Sequence, residues 1–255
     1  MLLRLALLLS LAGCGAAVHR QDTLTQIGPI AGLLAGVYDG GAVDCAELRS
    51  YGGFGLGTFD RLDGEMVLDA GRIYQVKADG SVIRPAAGVK VPFAAVVHFK
   101  PTITRRLVRE TGLAQLTELI DAALPSKNLF YAVRIEGDFA LVRARSVPPQ
   151  SPPYLPLAAA AAKQTVFELA GKRGVLVGFR TPSYAGGINV PGYHFHFLCE
   201  RARCGGHVLD LKMTRGSLQI APYREFRMLL PDADTPFGRA DLELDRSDEL
   251  RRAEH

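Results

Sequence analysis

The stretch YHFHFLCERARCGGHVLDL, residues 193–211, carries three of the six histidines of the chain. His194 and His196 alternate with Phe195 and Phe197, as residues of a strand alternate between its two faces. If residues 193–199 and 204–210 are antiparallel strands joined by Glu200-Arg201-Ala202-Arg203, a register that opposes Cys199 to Cys204 also opposes His196 to His207. His194, two positions from His196, then shares their face, while Phe195, Phe197 and Val208 point away. The cysteines fall on the opposite face, placed for a cross-strand disulfide that fixes the register. Three imidazoles on one surface make a metal site with an open coordination position, the pattern of catalytic zinc as opposed to closed structural zinc. Copper, nickel, iron or manganese also suit such a ligand set.

The remainder of the chain sets the bounds of this reading. With 255 residues and 48% hydrophobic content it is long enough for one large domain or two lobes with a sizeable core. Its 30 basic and 26 acidic residues are interspersed, for a net charge of +4, so no nucleic-acid footprint stands out. MLLRLALLLSLAGCGAA reads as an export signal over residues 1–20: one early Arg4, an apolar run, then small residues. Leu11-Ala12-Gly13-Cys14 resembles a lipoprotein signal, with Cys14 as the lipid-bearing N-terminus; a plain signal ending near Ala16 or Ala17 is the alternative. An exported chain, periplasmic or anchored to a membrane, retains Cys45, Cys199 and Cys204, an odd number that allows one internal disulfide.

Along the mature chain, LTQIGPIAGLLAGV (24–37) has helical spacing interrupted by Gly and Pro and predicts a short helix. Residues 47–85 alternate apolar pieces with Asp-Gly and Ala-Gly signals, as meandering strands do, and VPFAAVVHF (91–99) adds another strand. TGLAQLTELIDAAL (111–124) puts Leu113, Leu116, Ile120 and Leu124 on one helix face before Pro125. NLFYAVRIE and FALVRARSV flank Gly137-Asp138 and predict a hairpin, its second arm presenting Phe139, Leu141, Arg143 and Arg145 on one face. VPPQSPPYLP (147–156) cannot be a helix or a central strand and reads as the crossover between an N-terminal lobe, 21–150, and a C-terminal lobe, 151–255. An Ala-rich piece and a strand at 174–180 follow, then the histidine segment.

With those elements in place, the chain resembles the α-acetolactate decarboxylase family from about residue 24 to the C-terminus. The resemblance is carried by LLAGVYDG (33–40), GLGTFDRLDGEMV (55–67), NLFYAVRIEGDF through RSVPPQ, and GFRTPSYAGGINVPGYHFHFL into GGHVLDL. It implies an α+β fold of two lobes on mixed β-sheets with a few flanking helices, a site between the lobes, and a homodimer. It further implies a metal-dependent, non-redox conversion of 2-acetolactate, a 2-hydroxy-3-oxo acid, to acetoin and CO2. Zinc would be held by His194, His196 and His207, with the substrate hydroxyl and ketone oxygens chelated so that an enediolate is stabilised. Thr58, Glu65 and Arg145 match further active-site positions, and a C-terminal glutamate completes the set, Glu254 or, failing that, Glu249. Arg145 suits the substrate carboxylate or a late proton, and Glu65 and Glu254 divide the proton handling in an order the sequence leaves open.

Two readings from other classes use the same hairpin. An exported zinc-binding lipoprotein would need the histidines but neither Glu65 nor Arg145, and a zinc-dependent hydrolase would use a bound water. GFGLGT (53–58) lacks the Gly-Lys-Ser/Thr of a phosphate loop. His98 on its apolar strand reads as a packed histidine, and His19 and His255 lie in chain ends.

Overall fold

The structure is a computed structural model that describes residues 22–254, without the side chain of Glu254. The expected export signal with Cys14, and likewise His19 and His255, lie outside the described residues. The chain runs through β1 (Thr23–Ile27), α1 (Ile30–Leu34), β2 (Val43–Asp44) and α2 (Cys45–Leu48) into a meander of β3 (Phe54–Thr58), β4 (Glu65–Asp69), β5 (Arg72–Val76) and β6 (Val82–Ile83). Next come β7 (Lys90–Val91), β8 (Phe93–Val97), β9 (Ile103–Leu107), β10 (Thr111–Gly112) and α3 (Leu113–Ala123). The long strands β11 (Phe130–Ser146), β12 (Thr165–Thr181) and β14 (Gly205–Tyr223) follow, with α4 (Leu157–Ala161) and β13 (Gly192–Cys199) between them. The chain closes with β15 (Glu225–Leu229), α5 (Pro236–Arg239) and α6 (Ser247–Glu254).

Two large sheets result, the first mixed because β1 runs parallel to β15 and the second antiparallel in its pairings, beside the short β2–β7 pair and few helices, as an α+β chain requires. The first has the order β15-β1-β8-β3-β4-β5-β6; the second runs β10-β14-β11-β12-β13 and also pairs β13 with β14, so that it closes on itself. Leu24, Leu56 and Val67 of the first sheet share a core with Val175, Val177 and Phe179 of the second, which fixes the sheets face to face. The outer face of the second sheet packs Leu116 and Ile120 of α3, and the outer face of the first packs Leu48 of α2.

Three expectations need correction. The helix expected over 24–37 is split: residues 23–27 form β1, hydrogen-bonded to β15 and β8, and α1 is left with Ile30–Leu34. Gly28, at φ +57 and with the Pro92 carbonyl oxygen 2.2 Å from where a Cβ would stand, makes the break. The hairpin at Gly137-Asp138 is a single strand, because β11 pairs continuously with β12 on one side and β14 on the other. Gly137 allows close backbone approach instead of a turn: a Cβ there would meet the Arg215 carbonyl oxygen at 2.2 Å. Register shifts after Asp138, Phe139 and Arg143 then break the expected shared face. Phe139 is buried, Leu141 and Arg143 are exposed, and Arg145 is buried.

The boundary expected at residue 150 does not follow the sheets. The first sheet takes β15 from the C-terminal half, and the second takes β9, β10 and β11 from the N-terminal half. The Pro-rich segment is itself tied down. Tyr38 Oη donates to the Leu155 carbonyl at 2.7 Å, Tyr154 Oη to Asp39 at 2.5 Å, and Arg61 and Gln150 exchange hydrogen bonds. Burial and the neighbouring Asp39 carboxylate raise Asp60 in this region to about 6.

Two outcomes follow for stability. Gly137→Val, which drives a branched side chain into backbone, is expected to cost about 2–3 kcal/mol in urea unfolding; a loss under about 0.5 kcal/mol contradicts the close approach. The folded chain keeps the Asp60 proton to higher pH than the unfolded chain, whose aspartates titrate near about 3.9. The Asp60 contribution therefore declines as pH rises from about 4 to about 6 and is level above. Relative to Asp60→Asn, the wild-type urea midpoint should fall across that window; parallel curves would refute it.

Candidate metal centre and active site

His207 faces Arg145 on one side and His196 on the other, so these side chains form one row across β11, β14 and β13. Residues directly opposed across antiparallel strands share a face, and here that face is the one of Val177, which opposes His196 and packs on the first sheet. His194 joins from two positions along β13. The register expected from the cysteines is observed: His196 opposes His207, and Cys199 is bonded to Cys204. Phe195, Phe197 and Val208 lie in the core on the far side of the sheet.

The row can be this tight because of the glycines before His207. A Cβ on Gly205 would sit 2.3 Å from the Phe197 carbonyl oxygen, and one on Gly206 2.5 Å from that of Arg145. Gly206 also has φ +138, a conformation that L side chains rarely adopt.

All three imidazoles are buried. His194 Nε2 lies 3.1 Å from His196 Nε2 and 3.1 Å from His207 Nδ1. Among the described residues these three form the group whose ligand atoms gather closely enough to hold a metal ion. The spacing fits one: nitrogens at about 2.0–2.1 Å from a tetrahedral ion stand about 3.4 Å apart. The donor set fits as well. His196 Nδ1 lies 2.7 Å from the Met66 carbonyl of the first sheet, to which it donates, so Nε2 is left with its lone pair toward the other two rings. Burial, reinforced by neighbouring His194, holds the His196 imidazole well below its usual range, which keeps it neutral and able to ligate near pH 7.

Glu65 reaches this cluster from β4, its carboxylate 3.5 Å from His196 Nε2. Thr58 opposes Glu65 across β3 and β4 and is buried, but its hydroxyl donates to the Gly64 carbonyl at 2.8 Å and so braces the turn that carries Glu65. Arg145 is buried, and its Nη2 donates to the Ala253 carbonyl at 2.8 Å, which brings the last turn of α6 over the row. The side chain of Glu254 lies outside the described residues; Glu249 pairs with Arg246, the residue just before α6. Arg143, expected beside Arg145, faces outward toward Glu168 at 3.5 Å. Ile30, Leu33, Leu62, Phe93, Val147 and Leu157 wall the cluster, leaving a cavity of about 30 Å3. On the far side of α1, Ala31 and Leu34 line a larger cavity of about 560 Å3 together with Leu250 of α6.

Sequence reasoning missed the Met66 and Ala253 carbonyls, since every residue has one and no side-chain pattern marks them. The apolar wall was equally silent, because its members read as ordinary core.

The family model for alpha-acetolactate decarboxylase matches residues 24–244, nearly the whole described chain. The chain belongs to the α-acetolactate decarboxylase family. An α-acetolactate decarboxylase from Methanosarcina mazei is 46% identical over 92% of this chain and 81% of its own length, and one from Methylococcus capsulatus is 41% identical over 93% and 90%. The crystal structure of the α-acetolactate decarboxylase from Bacillus subtilis strain 168 superposes with a TM-score of 0.88 at 36% identity, covering 91% of this chain and 99% of that one. Membership and the histidine cluster together describe a metal-dependent carboxy-lyase family whose metal-ligating group is present here.

Replacing His207 with alanine is expected to lower bound metal from about one per chain to below about a tenth, as measured by elemental analysis after gel filtration, with the far-UV spectrum unchanged. Full metal content in that variant would place the ion elsewhere.

Proposed function

We propose that this chain decarboxylates 2-acetolactate to acetoin at the row formed by Arg145, His207 and His196, with zinc as the resident ion. The carrying observation is that one surface gathers a buried three-imidazole ligand set, a buried guanidinium and a carboxylate. Zinc is favoured by three nitrogen ligands with a position left open. Held by His194, His196 and His207, such an ion would supply Lewis acidity to the oxygens on which negative charge develops.

The protein's own groups account for the remaining work. Arg145, always charged and planar, pairs with the substrate carboxylate and fixes which carbon–carbon bond breaks. As CO2 leaves, the bonding pair passes to C2 and is delocalised onto the neighbouring ketone; the reaction then takes up one proton at carbon. Glu65 stands within reach of the cluster as the group that moves protons, and Glu254 is the second candidate for that role. Thr58 acts on Glu65 through the Gly64 turn. The apolar wall keeps bulk water from the developing charge. At about 30 Å3 the cavity is smaller than a ketol acid, so substrate access requires α6 to shift, freeing Arg145 from the Ala253 carbonyl.

Export rests on the N-terminal apolar segment, and a lipid at Cys14 on Leu11-Ala12-Gly13-Cys14. A homodimer rests on the family resemblance. Family membership gives no support to a non-catalytic zinc carrier or a hydrolase.

The test is racemic 2-acetolactate with the purified protein, reading acetoin and CO2. Activity should vanish with a chelator and return with zinc. Arg145→Ala should lower kcat/KM about a hundredfold or more while retaining its metal. Full metal binding with no turnover in the wild type would overturn the proposal.

A further inference from the structure

β12 holds β13 from Gly174 opposite Cys199 to Thr181 opposite Gly192, and β11 holds β14 from Phe130 opposite Tyr223 to Arg145 opposite His207. By contrast β13 and β14 meet in a short seam: His196 opposite His207, Phe197 opposite Gly206 and Leu198 opposite Gly205. The first of these pairs consists of two ligands of the metal centre. The other two pairs each contain a glycine, which offers no side chain across the ladder. The turn beyond the seam holds Arg201 and Ala202 at φ 61 and 51, left-handed values that L residues rarely adopt. Backbone and turn thus hold the seam poorly. What spans it is the Cys199–Cys204 disulfide, backed by a hydrogen bond from the Cys199 amide to the Cys204 carbonyl at 2.8 Å.

We propose that the Cys199–Cys204 disulfide is a positioning element of the metal centre, holding His207 opposite His196 so that an ion is retained, and that its reduction loosens the ion without unfolding the sheet. The inference rests on the metal-centre reading above. The bond faces the core beside Phe195 and Phe197, on the side away from the imidazoles, so it acts through the register of the strands. Its loop is short, with the cysteines five positions apart, and closing so short a loop removes little entropy from the unfolded chain. Its effect is therefore local to the seam. The reductant is an external dithiol or phosphine: it donates two electrons, the sulfur–sulfur bond breaks, each cysteine sulfur takes a proton, and the reductant leaves oxidised. Cys45 does not intervene, being buried in the core on the other face of the first sheet, with burial raising its thiol to about 11. A site closed in this way suits an oxidising compartment, in keeping with the export segment.

The test uses the full chain loaded with Zn2+, following release to a colorimetric chelator, and with Co2+, following its visible absorption. Oxidised wild type is compared with wild type reduced by a phosphine and with the double variant C199S/C204S. Zinc release should be at least about tenfold faster in both reduced and variant protein. The Co2+ bands should shift, and the far-UV spectrum and urea midpoint should stay close to those of the oxidised form. Reoxidation should restore slow release in the wild type alone. Equal release rates in folded oxidised and reduced protein would overturn the proposal. So would loss of the far-UV spectrum on reduction, which would make the bond a staple of the whole fold. Failure of the variant to fold leaves the decision to the reduced wild type, and oxidised wild type that binds no zinc overturns the metal-centre reading along with this one.

Discussion

The structure depends on the lateral alignment of three strands at the place where the second sheet closes on itself. Arg145 on β11, His207 on β14 and His196 on β13 stand side by side because each strand is pinned to its neighbour in one register. Strand side chains repeat every two residues, so a slip of one position would send each of them to the opposite face. The bulges of β11 and the glycines before His207 allow long strands to bend into closure without losing that alignment. Charge, ligand geometry and burial of the site follow from this constraint.

A single sheet would leave these groups half-exposed. The first sheet completes the site by bringing the Met66 carbonyl, which sets the tautomer of His196, and the Glu65 carboxylate from adjacent positions of β4. Three buried imidazoles and a buried guanidinium would be costly without such partners. The packing of Val67 and Leu56 against Val177 and Phe179 therefore supports both core and chemistry, since it sets the distance over which Met66 and Glu65 must reach. Helix α6 adds the last cover through the Ala253 carbonyl.

Much of the site was legible in the sequence because strand geometry is periodic. The spacing of His194 and His196 and the opposition of Cys199 to Cys204 place His207 correctly by arithmetic on the pleat alone, and the structure has that register. Local signals failed where tertiary pairing outweighed them. Gly137-Asp138 has the composition of a tight turn, yet with β12 and β14 on either side the backbone gains more from running straight, and the glycine accommodates a neighbouring strand. Leu24 and Ile27 have helical spacing, yet β8 and β15 draw them into a sheet. Arg143 and Arg145 look equivalent in an alternating pattern, but Arg145 alone is buried in the row beside His207. The proline-rich segment marks a change of direction, which sequence reveals, but the sheets take strands from both sides of it, which sequence does not.

The most direct test of this account is X-ray absorption at the metal edge of the purified, oxidised protein near neutral pH. It should show three imidazole nitrogens at about 2.0–2.1 Å with oxygen completing the shell. Sulfur in the shell, or fewer than three imidazoles, would contradict it.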